Sequence, residues 1–251
     1  MEKPLSRPNL PQSKVCTVAV SDYSEKLMKK LAELNIKTII TASSKNLDEK
    51  INYHTDMLLL NYAKSRVLFD KSQKNNIVKY LTIGYRGDLI KDAVKSPYPN
   101  DSRLNVVFVG DRLICNPQTT DEFILKYASD NGFKIIPVNQ GYTKCSVCLI
   151  NDNALITDDK SIHNACTADG IDSLLISKGS VKLNGFDYGF IGGCTGLIEK
   201  NKLLFNGDIR LHKDADKIVS FLNKYNIEPV IIENEPLYDI GGILPLTENT
   251  P

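Results

Sequence analysis

One phrase recurs along this chain: an apolar run, a short polar turn, a second apolar run, a capped helical segment and a third apolar run. Clear copies begin at Val107 (VFVGDRLICN), Cys148 (CLINDNALIT) and Gly196 (GLIEKNKLLFN), and fainter ones at Leu58 (LLLNYAKSRVLFD) and, without its first half, at Thr17 (TVAVSDYSEKL). A period of roughly 40 to 50 residues marks a repeat architecture, in which a unit that cannot bury its own apolar face stacks on its neighbours. Five such units fill the 251 residues, a length that can bury one substantial core, so a single domain over residues 1–251 is expected.

Each unit reads as strand, strand, helix, strand. In the third, Thr119, Thr120, Asp121 and Glu122 start a helix, Phe123, Ile124, Tyr127 and Ala128 form its apolar stripe, Gly132 stops it, and Lys134–Val138 follow as a strand. The fifth repeats this with Ile218, Phe221, Leu222 and Tyr225 at helical spacing before a strand at Pro229–Glu233; the fourth has a helix from Asp158 to Ala168 and a strand at Ser173–Ser177. In the first, Leu27, Met28, Leu31 and Leu34 mark the helix and Lys37–Thr41 the strand. The second deviates, because a helix around Gln73–Leu81 runs into GYRGDLIKDAVKSPYPND, whose glycines and prolines read as loop.

Lys plus Arg total 31 against 30 Asp plus Glu, and a net charge of +1 leaves no electrostatic footprint for DNA or other nucleic acid. No stretch approaches the roughly 18–20 apolar residues of a membrane span, and the start MEKPLSRPNLPQSK has no secretory apolar run. With six scattered cysteines, these features predict reduced thiols in the cytoplasm. Cys145 and Cys148 have metal-like spacing, but on a strand they face opposite sides and no second Cys or His pair accompanies them; no metal is expected.

The segments that open the units are NYHTDMLLL, DSRLNVVFV, GYTKCSVCLI, FIGGCTGLI and YDIGGILPL. Aligning their apolar runs superposes Asp56, Asn105, Ser146, Cys194 and Ile243, and a closed ring would gather these positions around its axis.

Five strand-strand-helix-strand units about a pseudo-fivefold axis resemble the pentein superfamily, the α/β propeller shared by guanidino-group-modifying enzymes and ribosome anti-association factors. CLINDNALITDD is similar to the repeat phrase of the anti-association factors. The segment Asp239–Thr247 resembles the Gly-Gly segment carrying the nucleophilic cysteine of agmatine and arginine deiminases, and Asn105–Asp111 a strand carrying a substrate-binding carboxylate in dimethylarginine hydrolases. The resemblance implies a pentein-type propeller of five ββαβ repeats, thiol attack on a guanidinium carbon with histidine moving protons, and no cofactor. Two departures stand against a direct transfer: Leu244 and Pro245 occupy the place of the deiminases' His-Cys, and Tyr142 that of the middle-repeat histidine. This is a branch without the terminal cysteine, and no deimination of free arginine or agmatine is expected from it.

A relocated site is compatible with the pseudosymmetry. Cys194 follows Gly192 and Gly193 in the fourth repeat, and His54 and Asp56, two apart on a strand, would share a face. Cys194 is therefore the expected nucleophile and most reactive thiol, with His54 and Asp56 as its catalytic partners. The same unit-opening segments supply Asp101, Arg103, Asn105, Tyr142, Lys144, Cys145 and Asp239 as candidate substrate contacts. The structural alternatives are a hydrogen-bonded buried histidine at His54, a small hydrophobe at Cys194, core roles for Cys16, Cys115 and Cys166, solvent-facing His163 and His212, and a tight backbone path at Gly192, Gly193, Gly241 and Gly242. Two functional readings stay open. One is a hydrolase or transferase acting on a small guanidine- or amide-containing molecule, for which a guanidinium needs carboxylate or amide acceptors. The other is a non-catalytic module that uses a ring face to hold a protein or ribonucleoprotein partner as the anti-association factors do.

Overall fold

The computed structural model describes residues 1–250. In chain order the elements are β1 (Glu2–Pro4), β2 (Val15–Val20), α1 (Glu25–Glu33) and β3 (Lys37–Ile40); α2 (Thr55–Leu58), β4 (Leu59–Ala63), β5 (Arg66–Phe69), α3 (Ile77–Thr82) and β6 (Arg86–Leu89); β7 (Val107–Val109), β8 (Arg112–Cys115), α4 (Glu122–Asp130) and β9 (Lys134–Pro137); α5 (Thr143–Ser146), β10 (Val147–Asn151), β11 (Ala154–Thr157), α6 (Lys160–Ala168) and β12 (Asp172–Leu175); β13 (Thr195–Glu199), β14 (Lys202–Phe205), α7 (Ala215–Lys224), β15 (Glu228–Val230) and β16 (Leu244–Asn249).

These strands form five small sheets. In four of them a first strand pairs antiparallel with the second across a tight turn, and the second pairs parallel with the third after a helical crossover. The architecture is a pentein-type propeller of five ββαβ units. The unit that lacks its first half in the sequence is completed from the other end of the chain: β16 pairs antiparallel with β2, Leu244 opposite Ala19, and β1 then covers the far edge of β16. The first strands of adjacent blades touch, β10 with β13 and β13 with β16, so they line the axis. Gly196 permits that approach, since a Cβ there would stand 2.0 Å from the Ile243 carbonyl oxygen.

Local chemistry explains the helices. Ser24, Asp121 and Asp159 accept a backbone N–H of the first turn of α1, α4 and α6. The buried pairs Leu27/Leu31, Ile124/Ala128, Ile162/Cys166 and Ile218/Leu222 lie one turn apart and face the sheets. Two expectations change. The GYRGDL stretch read as loop contains β6, where Gly87 lies beneath the Phe69 ring; a Cβ there would be 2.3 Å from Phe69 Cε2, so the glycine serves packing. His212 is 4% exposed, its Nδ1 accepting the Asp214 N–H at 2.9 Å, because the turn before α7 folds it inward.

The residue after each second strand ties one blade to the connection beyond it. Asn116 donates to the Asn139 carbonyl at 2.9 Å, Asn206 to the Tyr238 carbonyl at 2.8 Å, and Asp70 accepts from the Val94 amide at 2.7 Å. The fourth unit has Asp158 here, 4% exposed, with Oδ1 lacking a partner among the described residues. Burial pushes its carboxyl up to about 7, with Lys178 opposing. Because the folded value exceeds the ordinary 3.8, ionisation opposes folding: the penalty is absent at low pH and grows as pH rises toward 7. Asp158→Asn, the residue used by two sister units, is expected to stabilise the fold by roughly 1–3 kcal/mol at pH 8 and much less at pH 4. Urea unfolding at both pH values checks this, and an equal effect at the two would count against it.

Candidate active site

Short turns at the axial ends of the first strands assemble the site. The one-turn helices α2 and α5 precede β4 and β10, and a 3₁₀ turn at Gly192–Cys194 precedes β13. Strand registers set Leu59, Val147 and Thr195 at one level, opposite Phe69, Thr157 and Phe205. Leu58, Ser146 and Cys194 are therefore equivalent, and Asp56 stands two residues earlier than the sequence alignment implies.

This offset decides which thiol is central. Successive residues in a helical turn are rotated by about 100°, so the side chain one place before Ser146 points elsewhere. That residue is Cys145, 2% exposed, whose Sγ donates to Asp56 Oδ2 at 3.0 Å and accepts from Asn105 Nδ2 at 3.2 Å. Asn105 fixes the arrangement further, its Nδ2 reaching the Asp56 carbonyl at 3.2 Å and its Oδ1 the Cys145 amide at 3.0 Å. Cys194 is wholly buried, donates to its own turn at the Ile191 carbonyl (3.2 Å), and does not line the cavity described below.

Asp239 completes the cluster. Its Oδ1 accepts the Gly241 N–H at 3.0 Å and its Oδ2 the Phe190 N–H at 2.9 Å, while His54 Nδ1 lies 3.7 Å from Oδ1. The paired glycines make this approach possible. A Cβ on Gly193 would sit 1.9 Å from Asp239 Oδ1, and one on Gly241, whose φ is +78°, 2.4 Å from His54 Cα. His54 Nε2 and Asp56 Oδ1 are buried and have no hydrogen-bond partner among the described residues.

Burial drives the charge states, reinforced by the carboxylates. The Cys145 thiol is pushed well above its ordinary range by desolvation and then by Asp56 and Asp239. Asp239 is itself raised by burial, with Asp56 adding to the shift and His54 and the two backbone N–H donors opposing it. Cys194 is raised by burial and by Asp239. Ligand atoms of His54, Asp56 and Cys145 lie within 4.8 Å of one another, a donor set that a borderline cation such as zinc could also use.

His54, Cys145 and Asp239 open into a cavity of about 260 Å³. Ile51, Met57, Tyr142 and the Leu183–Phe190 loop form its remaining walls. Tyr142 is held by its hydroxyl, which donates to Asp101 Oδ2 at 2.7 Å, placing Asp101 behind the wall. Arg103 and Lys144 are not part of it: Arg103 is 3.6 Å from both Asp92 and Asp121, and Lys144 lines a separate crevice with Leu149 and Pro245. A wider cleft of about 680 Å³ around Asp158 and Lys160 offers the hydroxyls of Ser161 and Ser177, but Ser161 donates to Asp159 and no thiol or imidazole lines that cleft among the described residues.

The structure thus brings together His54, Asp56, Asn105, Tyr142, Cys145 and Asp239, and leaves Cys194, Arg103 and Lys144 outside the cavity. The reading from sequence missed the aromatic wall. Phe186, Tyr188 and Phe190 within one glycine-containing loop ahead of Gly192 were its available signal. No helix among the described residues is long and apolar enough to cross a membrane.

The same architecture occurs in solved structures of guanidino-group-modifying enzymes. Inosamine-phosphate amidinotransferase StrB1 from Streptomyces griseus matches 99% of this chain and 98% of its own at 11% identity and a TM-score of 0.62. Agmatine deiminase of C. jejuni matches over 94% of both chains (11% identity, TM-score 0.55), and a DDAH from Pseudomonas aeruginosa complexed with citrulline over 87% of this chain and 92% of its own (8%, 0.53). All three are penteins, and this chain has the pentein fold. No curated protein sequence matches it. Residues 19–244 match the family of unknown function DUF6873, so the chain belongs to that family.

Proposed function

We propose that this protein is a cysteine-dependent enzyme that breaks a C–N bond of a small guanidine, with Cys145 as nucleophile, Asp56 and His54 moving protons and Asp239 holding the cation. The observation that carries the reading is the buried quartet of thiol, imidazole and two carboxylates, three of which open onto a small cavity that no lysine or arginine lines among the described residues. Two carboxylates out of water call for a cation, and a guanidinium meets them with planar N–H donors while exposing an electrophilic carbon. The occurrence of guanidino-modifying enzymes among the fold's structural neighbours supports the same class.

The chemistry follows from the charges. Burial, reinforced by Asp56 and Asp239, holds Cys145 as a thiol. A bound guanidinium supplies the opposing charge, so the thiol loses its proton to Asp56, 3.0 Å away, as the substrate docks. The thiolate attacks the guanidinium carbon, the C–N bond to the leaving amine breaks, and that amine takes the proton from Asp56 or through His54. This leaves an S-linked thiouronium on Cys145 and a neutral amine. Water then attacks the thiouronium carbon and displaces the sulfur, one of its protons returning to Cys145 and the other passing to Asp56, which gives a urea-type product; an acceptor amine in place of water gives a transferase.

The alternative of a non-catalytic binding module predicts an unreactive axis, and thiol labelling separates the two. Chloroacetamidine, a cationic alkylating agent, is expected to modify Cys145 at least about tenfold faster than neutral chloroacetamide, in buffer containing EDTA. Peptide mapping identifies the site, and Asp239→Asn is expected to erase the preference. Exclusive labelling of Cys194 or of the partly exposed Cys16 would remove the assignment; a preference present only without chelator would point to a metal on the His54, Asp56 and Cys145 set.

In a screen of guanidines, Cys145→Ala is expected to lower turnover by at least about 10³-fold, since the covalent route is lost, while Cys194→Ala retains it. Activity that survives in Cys145→Ala would sink the mechanism.

A further inference from the structure

The cavity walls narrow the substrate class, on the reading that its cationic end sits at Asp239. Of the lining side chains, Ile51, Met57, Leu183, Tyr142, Phe186, Tyr188 and Phe190 offer apolar or aromatic surface. The charged ones are Asp239 at the base and Asp187 at the rim, and no lysine or arginine lines the cavity among the described residues. An α-carboxylate, a phosphate or any other anionic substituent on the substrate would therefore meet like charge and find no lysine or arginine to pair with.

Several neutral donors of the wall are already engaged, the Tyr188 hydroxyl remaining for a neutral polar group. The Tyr142 hydroxyl is donated to Asp101. Along the loop, the Phe190 amide is given to Asp239, the Gly189 amide to the Val181 carbonyl and the Phe186 amide to the Leu183 carbonyl. Two lysines stack on aromatic residues of this wall, each 5.5 Å from a ring centroid: Lys50 over Phe186 and Lys178 over Tyr188. Their ammonium groups contact the Gly185 carbonyl at 3.3 Å and the Tyr188 hydroxyl at 3.5 Å, and neither lines the cavity. The volume, about 260 Å³, lies just under the roughly 300–1,000 Å³ of small-molecule sites, which suits a compact ligand.

We infer that the substrate is a guanidine carrying no anionic group, with an apolar or aromatic body packed against Tyr142, Phe186, Tyr188 and Phe190. Free guanidino acids are excluded by this wall, whatever the chemistry at Cys145.

Calorimetric titration of the full chain, as wild type and as Cys145→Ala, with three probes tests this: 2-phenylethylguanidine, 4-guanidinobutyrate and the neutral 2-phenylethylurea. The expected result is 2-phenylethylguanidine binding at least about tenfold tighter than either of the others. A 4-guanidinobutyrate affinity within tenfold of the phenylethyl compound overturns the substrate class but leaves a guanidine site. A urea binding within tenfold of the guanidine shows that the apolar body alone carries recognition and overturns the cation-holding role as well. Absence of binding by any guanidine overturns both.

Discussion

The pairing of β16 with β2 is the interaction on which the rest of this molecule depends. Four of the five sheets are built from consecutive strands, but the fifth takes its axial strand from the C-terminal end and its other strands from the N-terminal region. That pairing closes the ring, and closure brings the turns ahead of the first strands to one axis. Tyr85 reinforces the joint by donating its hydroxyl to the Leu246 carbonyl at 2.5 Å, while Asn61 holds the same hydroxyl at 3.2 Å. A ladder joining the two ends of a chain closes its loop at a large entropic cost, which the apolar β2–β16 surface offsets by burying Val18, Val20, Ile243, Leu244 and Leu246.

Closure then imposes a crowding condition at the axis, and the glycines meet it. Gly192, Gly193, Gly196 and Gly241 each lie where a Cβ would come within 2.4 Å of a neighbouring atom. The space they leave admits Asp239 and His54, side chains that a more fully packed axis would exclude. The outcome is a buried acidic centre whose thiol is pushed well above its ordinary range by burial and then by Asp56 and Asp239.

Periodicity made the fold legible. The repeated phrase predicts the strand-strand-helix-strand unit, and the helix stripes and caps fall where spacing puts them. The strand β6 was hidden because Gly84 and Gly87 look like turn residues, whereas Gly87 makes room for the Phe69 ring. At the site, His54, Asp56, Asn105, Tyr142, Cys145 and Asp239 were all visible as residues of the unit-opening segments. Their grouping followed from pseudosymmetry, but the choice of thiol did not. Cys194 and Cys145 differ by one place in equivalent turns, and that place is a rotation of about 100° that an alignment of apolar strands cannot see.

By itself, then, the sequence determined the unit, its five-fold repetition and the short list of polar residues at the unit ends, because apolar periodicity and turn chemistry act over a few neighbouring residues. The tertiary structure alone decided which strand completes the first blade, which thiol meets Asp56, and that Arg103 and Lys144 stay outside the cavity. Each of these is settled by contacts between residues far apart in the chain, and by side-chain directions that depend on how closely the five turns can approach.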